Sequence, residues 1–330
     1  MNPPKKQRHI ASLVILLVSL GATFFLLFNR QALLDHVALL QYQPSPEIAA
    51  IAARTTMTEQ GKFDFYASRP AIESTQVFNE VCGSGEEHTA ILGCYANRRI
   101  YIYGVTDAQL DGIKEVTAAH EMLHAAYDRM SDDKKRKVNA LVEAEYAKLS
   151  QDSALAARMA FYAKTEPGER DNELHSIIGT EIAAISPELE AHYKQYFIDR
   201  QALVGLYTKY ASVFEALKAK ADALSAQLTN LAATISQQSE AYNQDVAALN
   251  RDINAFNARA EAGDFSSQAE FNARRNALEA RADQLARDRQ TINNNITLYN
   301  ELNSQLAATA SQSAALNRSI DSSLAPAPSL

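Results

Sequence analysis

The chain of 330 residues contains no tryptophan and only 11 glycines, well below the usual glycine share of about 7%. Few glycines leave few tight turns, which argues against a many-stranded sandwich and for long helices. Cysteine occurs only at Cys82 and Cys94, too few, with His88 alone between them, for a thiolate metal site. Basic charge is short as well: 32 Lys and Arg face 39 Asp and Glu, a net −7. Three of the basic residues, Lys5, Lys6 and Arg8, fall within the first nine positions, so the remainder holds 29 against 39, a net −10. An acidic body excludes nucleic acid as a partner, because a phosphate backbone requires a basic stripe. Apolar residues at 47% and charged residues at 22% exclude wholesale disorder and a collagen-like fibre.

Only one long apolar run is present, residues 10–28, bounded by the basic leader and by Asn29-Arg30. As a helix its 19 residues rise about 28 Å, enough for a hydrocarbon core of about 30 Å. The run is longer than a cleavable signal core and ends in Phe24-Phe25-Leu26-Leu27-Phe28 without a small-x-small site, so a retained signal anchor is expected. The positive-inside rule keeps residues 1–9 cytoplasmic and sends the rest outward. The expected protein is therefore a single-pass cell-membrane protein whose partner through residues 10–28 is the lipid bilayer. In an oxidising compartment Cys82 and Cys94 are expected to form one disulfide.

The expected fold is mostly α with a small β portion. Residues 29–60, broken by Gln43-Pro44-Ser45-Pro46, read as a juxtamembrane connector. Residues 61–200 read as a compact domain. Arg98 to Tyr103 is rich in β-formers and predicts a strand, and residues 107–130 predict one helix. Ser186-Pro187 marks another helix start. From residue 201 to 318 apolar residues recur in a 3–4 alternation, among them Leu217, Leu224, Leu228, Ile235, Tyr242 and Leu249, and later Phe271, Leu278, Leu285, Ile292, Ile296, Tyr299 and Leu306. That period predicts a coiled-coil hairpin with its tip near 262–268, an arm for a protein partner or for self-association. Residues 319–330 read as a disordered tail.

The chemistry lies in His120-Glu121-Met122-Leu123-His124. Histidines at i and i+4 of a helix project from one face, one turn apart, and can share one Zn²⁺. Glu121, beside the first of them, is placed to take a proton from a water activated by the metal. A third ligand is required, and the later segment Asp171-Asn172-Glu173-Leu174-His175-Ser176-Ile177-Ile178-Gly179-Thr180-Glu181 offers Glu173, His175 and Glu181.

With these residues in view, the segment 98–190 resembles the gluzincin zinc metallopeptidases, in which a Glu on a later helix completes an HExxH site. Asn172-Glu173-x-x-Ser176 is similar to the Asn-Glu-x-x-Ser stretch of thermolysin-like enzymes. The resemblance implies a zincin-like domain over 61–200, with His120, His124 and Glu173 as ligands and Glu121 as general base. Glu181 and His175 stand as alternative third ligands. Two departures are visible. Ile177 stands where the thermolysin-like Asp would be, and the spacing from His124 to Glu173 is longer, more like the lethal-factor type. The resemblance further implies a substrate-binding edge strand, expected at Ile100, Tyr101, Ile102 and Tyr103. Tyr162 is the expected oxyanion donor, with His175 second.

The function expected is that of an extracytoplasmic zinc metallopeptidase acting on a peptide or protein substrate. The alternatives are an envelope scaffold whose zinc site is inactive or structural, and a zinc hydrolase of a non-peptide wall component.

Overall fold

Residues 16–21, 23, 24 and 26 of the apolar run are described and helical, and the next helix begins at Arg30. The computed structural model describes residues 16–321 except 22, 25, 27–28, 83–91, 150–152 and 166. Among the described residues no helix is long and apolar enough to cross a membrane. Of the expected anchor over 10–28, residues 10–15, 22, 25, 27 and 28 fall outside the described residues, as does the tail from 322.

The chain divides into two compact units, Met1–Val213 with Leu316–Leu330, and Phe214–Ala315. The first unit is mostly helical. Helices α1 (Arg30–Gln41), α2 (Pro46–Arg54) and α3 (Glu59–Ala67) precede strand β1 (Ala71–Glu73), helix α4 (Thr75–Cys82) and strands β2 (Gly93–Ala96) and β3 (Arg99–Tyr103). Then come α5 (Ile113–Asp128), α6 (Asp132–Leu149), α7 (Ser153–Thr165), α8 (Arg170–Glu181), α9 (Pro187–Tyr193) and the first turns of α10 (Arg200–Glu261). Local chemistry sets several of these starts. Ser45 and Ser186 each accept a bond from the backbone three residues on, with proline in the first turn behind them. The single helix expected over 107–130 is instead a short 3₁₀ turn at Ala108–Leu110 followed by α5. The break is at Gly112, whose φ of 103° no helix accommodates.

The three strands lie in the order β1-β3-β2, with β1 parallel and β2 antiparallel to β3. This corrects one expectation: Ile100, Tyr101, Ile102 and Tyr103 form a strand, but not an edge strand. Both sides of β3 are already paired, and the edge beside the histidine-bearing helix belongs to β2. Cys82 and Cys94 are disulfide-bonded and tie β2 to the end of α4.

The core of this unit is apolar and continuous. It draws in Ile48, Ile51, Ala52 and Met57 from the segment expected to be a connector, and Leu203 from beyond residue 200. Its centre is the contact of α8 on α5. Leu174, Ile177 and Ile178 of α8 and Met122 and Leu123 of α5 are fully buried, each such side chain stabilising the fold by about 1.5–3 kcal/mol. Gly179 permits that closeness: a Cβ there would lie 2.5 Å from Leu123 and 2.7 Å from Tyr193.

The second unit is a helical hairpin formed by α10 and α11 (Gln268–Ile320). At its tip Phe256, Phe265 and Phe271 pack with centroids 5.0–5.3 Å apart, and Arg259 caps Phe265 at 4.4 Å. The seam keeps its 3–4 rhythm, with one revision: Ile296 is 41% exposed, and Asn295 occupies the seam instead. Asn295 Nδ2 donates to Gln238 Oε1 at 2.9 Å, so a polar pair fills the layer in which the apolar series has a gap. A half-buried amide pair in a seam of this kind fixes register at some cost in stability.

Substituting Gly179→Ala is expected to destabilise the first unit by about 1–3 kcal/mol, the usual cost of overpacking. Thermal unfolding of the variant checks this, and an unchanged melting temperature would show that the α5–α8 contact has slack.

Candidate metal centre

The helical spacing of His120 and His124 turns both rings to the face that α8 covers. Their centroids are 4.7 Å apart. Glu173, in the first turn of α8 and 3% exposed, meets them from the other side. Its Oε1 lies 3.3 Å from His124 Nε2 and its Oε2 3.7 Å from His120 Nε2. One ligand atom from each of the three lies within 4.8 Å of the others. Two ligands of a tetrahedral zinc, each at about 2.0–2.1 Å, stand about 3.4 Å apart. The spacing therefore suits a shared metal ion. Glu173 Oε2 is also buried with no hydrogen-bond partner, as a metal-ligating oxygen is before its ion is present.

The electrostatics are those of a site built around charge. For Glu173 burial works to raise the pKa, but His120, His124 and Arg158 outweigh it and hold the carboxyl below its ordinary value. For His120 burial pulls downward, yet contact with Glu173 prevails and the value is raised. Burial dominates at His124 and lowers it.

His124 is also oriented. Ser176 Oγ donates to the Asn172 carbonyl at 3.0 Å and stands 3.3 Å from His124 Nδ1. Its hydroxyl proton being committed, Ser176 accepts from Nδ1–H, which leaves Nε2 unprotonated and facing Glu173. Ser176 thus supplies the orienting contact that Ile177 could not. The signal for it was available in its place three residues after Glu173, on the same face of the helix.

Comparison of the chain with protein-family models, with curated proteins and with solved structures finds no match. The buried His120/His124/Glu173 group, compatible with an HExxH-type metal site, stands on geometry alone.

The other expected site residues lie as follows. Glu121 is 5% exposed and packs beside Gly93 of β2. Glu181 is gripped by Arg158 through two bonds of 3.0 and 2.7 Å, so it is a partner of that guanidinium, outside the triad. His175 is fully buried and points elsewhere, its Nε2 2.9 Å from His192 Nε2. Tyr162 packs on the core one turn along α7 from Arg158, whose pKa it helps to raise. Arg158, His192 and Ser176 had no assigned role in the sequence analysis.

Two measurements follow. Ser176→Ala is expected to weaken zinc binding about 10–100-fold, as loss of an orienting contact does, and competition with a chelator reads this directly. Burial holds His192 down to about 4 and His175 well below its ordinary value. Both depressed histidines bind fewer protons folded than unfolded, so their contribution is complete above pH of about 6.5 and is lost as pH falls toward 4. The melting temperature of chelator-treated protein should fall over that window, and His192→Gln should flatten the fall. A variant profile parallel to wild type would contradict this.

Proposed function

We propose that the chain is a membrane-anchored, extracytoplasmic zinc metallopeptidase of gluzincin type. The observation that carries the proposal is the convergence of His120, His124 and Glu173 within 4.8 Å, with the buried carboxyl of Glu121 on the same helix as the histidines. A zinc ion held by these three side chains would polarise a scissile carbonyl and make water a competent nucleophile near neutral pH.

The chain's own groups supply the remaining steps. Glu121 takes the proton of the attacking water and passes it to the leaving amine. Ser176 keeps His124 in the tautomer that donates through Nε2. Tyr162 is the donor proposed for the developing oxyanion, supported by its place beside Arg158, whose charge acts on Glu173. An extended peptide would add to the sheet along β2, the edge strand that packs against α5. Residues 10–28 anchor the chain in the lipid bilayer, with the basic leader on the cytoplasmic side, and the hairpin serves a protein partner or self-association.

The experiment measures zinc content and hydrolysis of a quenched fluorescent peptide library for the full chain, Glu121→Gln and Glu173→Ala. Wild type and Glu121→Gln should each hold one zinc, with the rate of Glu121→Gln lower by about 10²–10⁴-fold. Glu173→Ala should lose the metal. Absence of zinc in wild type would overturn the proposal, and zinc without cleavage of any library member would overturn the peptidase assignment.

A further inference from the structure

We infer that Gly93 is a positioning residue for the general base: its missing side chain is what allows the carboxyl of Glu121 to lie against the edge strand. The inference rests on the peptidase reading for its functional consequence, and on geometry for the contact itself.

The register fixes what Gly93 faces. Tyr103 N–H donates to the Leu92 carbonyl at 2.8 Å, and Gly93, Cys94, Tyr95 and Ala96 pair with Ile102, Tyr101, Ile100 and Arg99. Hydrogen-bonded pairs of an antiparallel ladder alternate. Leu92, Cys94 and Ala96 therefore bond to β3, and the peptide groups of Gly93 and Tyr95 turn to the outer edge. Side chains alternate as well. Tyr95 points to α5, where its hydroxyl donates to Asp128 at 3.1 Å, so the side-chain position of Gly93 also points to α5. Cys94 points the opposite way, into the disulfide with Cys82.

A Cβ at Gly93 would meet Thr117 Cγ2 at 2.6 Å and Cγ and Oε1 of Glu121 at 2.8 Å each. Gly93 is absent from the positions with positive φ, so the demand is for space and not for a glycine-only backbone. The strand cannot readily retreat from such a clash, because the disulfide and the β3 ladder hold it. Thr117 is β-branched and stiff at χ1. Glu121, an unbranched side chain with three rotatable torsions, is the group that turns aside. A single methyl group would thus move the base while the three ligands, on the face of α5 that α8 covers and on α8 itself, stay in place. The outward-facing N–H and C=O of the same residue lie beside Glu121, where an added peptide strand would bond.

The test is Gly93→Ala in the full chain, read by zinc content, by kcat and KM on the quenched fluorescent peptide library, and by a crystal structure of the metal-free variant. Zinc content and KM should match wild type, kcat should fall by about 10²-fold, and the Glu121 carboxyl should turn away from position 93. The double variant Gly93→Ala/Thr117→Ala removes the second clash and guards against loss of folding. In it the kcat loss should persist. A rate restored in the double variant, or a Glu121 carboxyl unmoved in the crystal, would overturn the inference. An inactive wild type would sink the peptidase reading instead, and the crystal comparison would still decide whether Gly93 sets the position of Glu121.

Discussion

The face of α8 that seats on α5 carries a carboxylate into apolar surroundings and points it at two imidazoles. Burying a carboxylate is costly unless its charge is met. Glu173 is nonetheless held below its ordinary pKa, and one of its oxygens has no hydrogen-bond partner. Two imidazole nitrogens and one carboxylate oxygen at this spacing suit a shared cation, and the surrounding structure serves to keep them there. Gly179 allows the helices to close. Fully buried aliphatic side chains on both sides fix the rotation of α8, and the Ser176 contact fixes His124.

A second set of interactions ties the walls of the site to helix α1. Asp35 of α1, 3% exposed, accepts from Arg129 at 2.9 Å and from Arg98 at 2.8 Å. Arg129 caps the C-terminus of α5, and Arg98 sits in the β2–β3 turn, where Asn97 and Arg98 both have positive φ. Left-handed residues suit such a hairpin turn but are unfavourable for arginine. The bond to Asp35 and the contact with Gln31 help to hold it. One buried carboxylate thus ties together the helix that bears the histidines and the hairpin that forms the sheet edge.

Much of the metal centre was legible because it is local. Histidines four residues apart on a helix share a face whatever the helix packs against. The third ligand was not legible from spacing, since Glu173, His175 and Glu181 all lie on one helix whose rotation only packing decides. Rotation sends His175 to His192, and Arg158 captures Glu181. The sheet order was illegible for a similar reason. The resemblance implied an edge strand at β3, and β1, with only three residues and no alternation to announce it, gave no sign that this edge is paired. In the hairpin the apolar period was readable, but the Gln238–Asn295 layer was not, because polar seam residues resemble surface ones. Gly93 gave no signal, because its role lies in what its absent side chain would strike.

The most direct test of the metal centre is anomalous diffraction at the zinc edge from crystals of the chain grown with zinc. The account predicts one strong peak bounded by His120 Nε2, His124 Nε2 and the Glu173 carboxylate, with Glu181 still paired to Arg158. A peak that recruits Glu181 or His175 in place of Glu173, or no peak between α5 and α8, would contradict it.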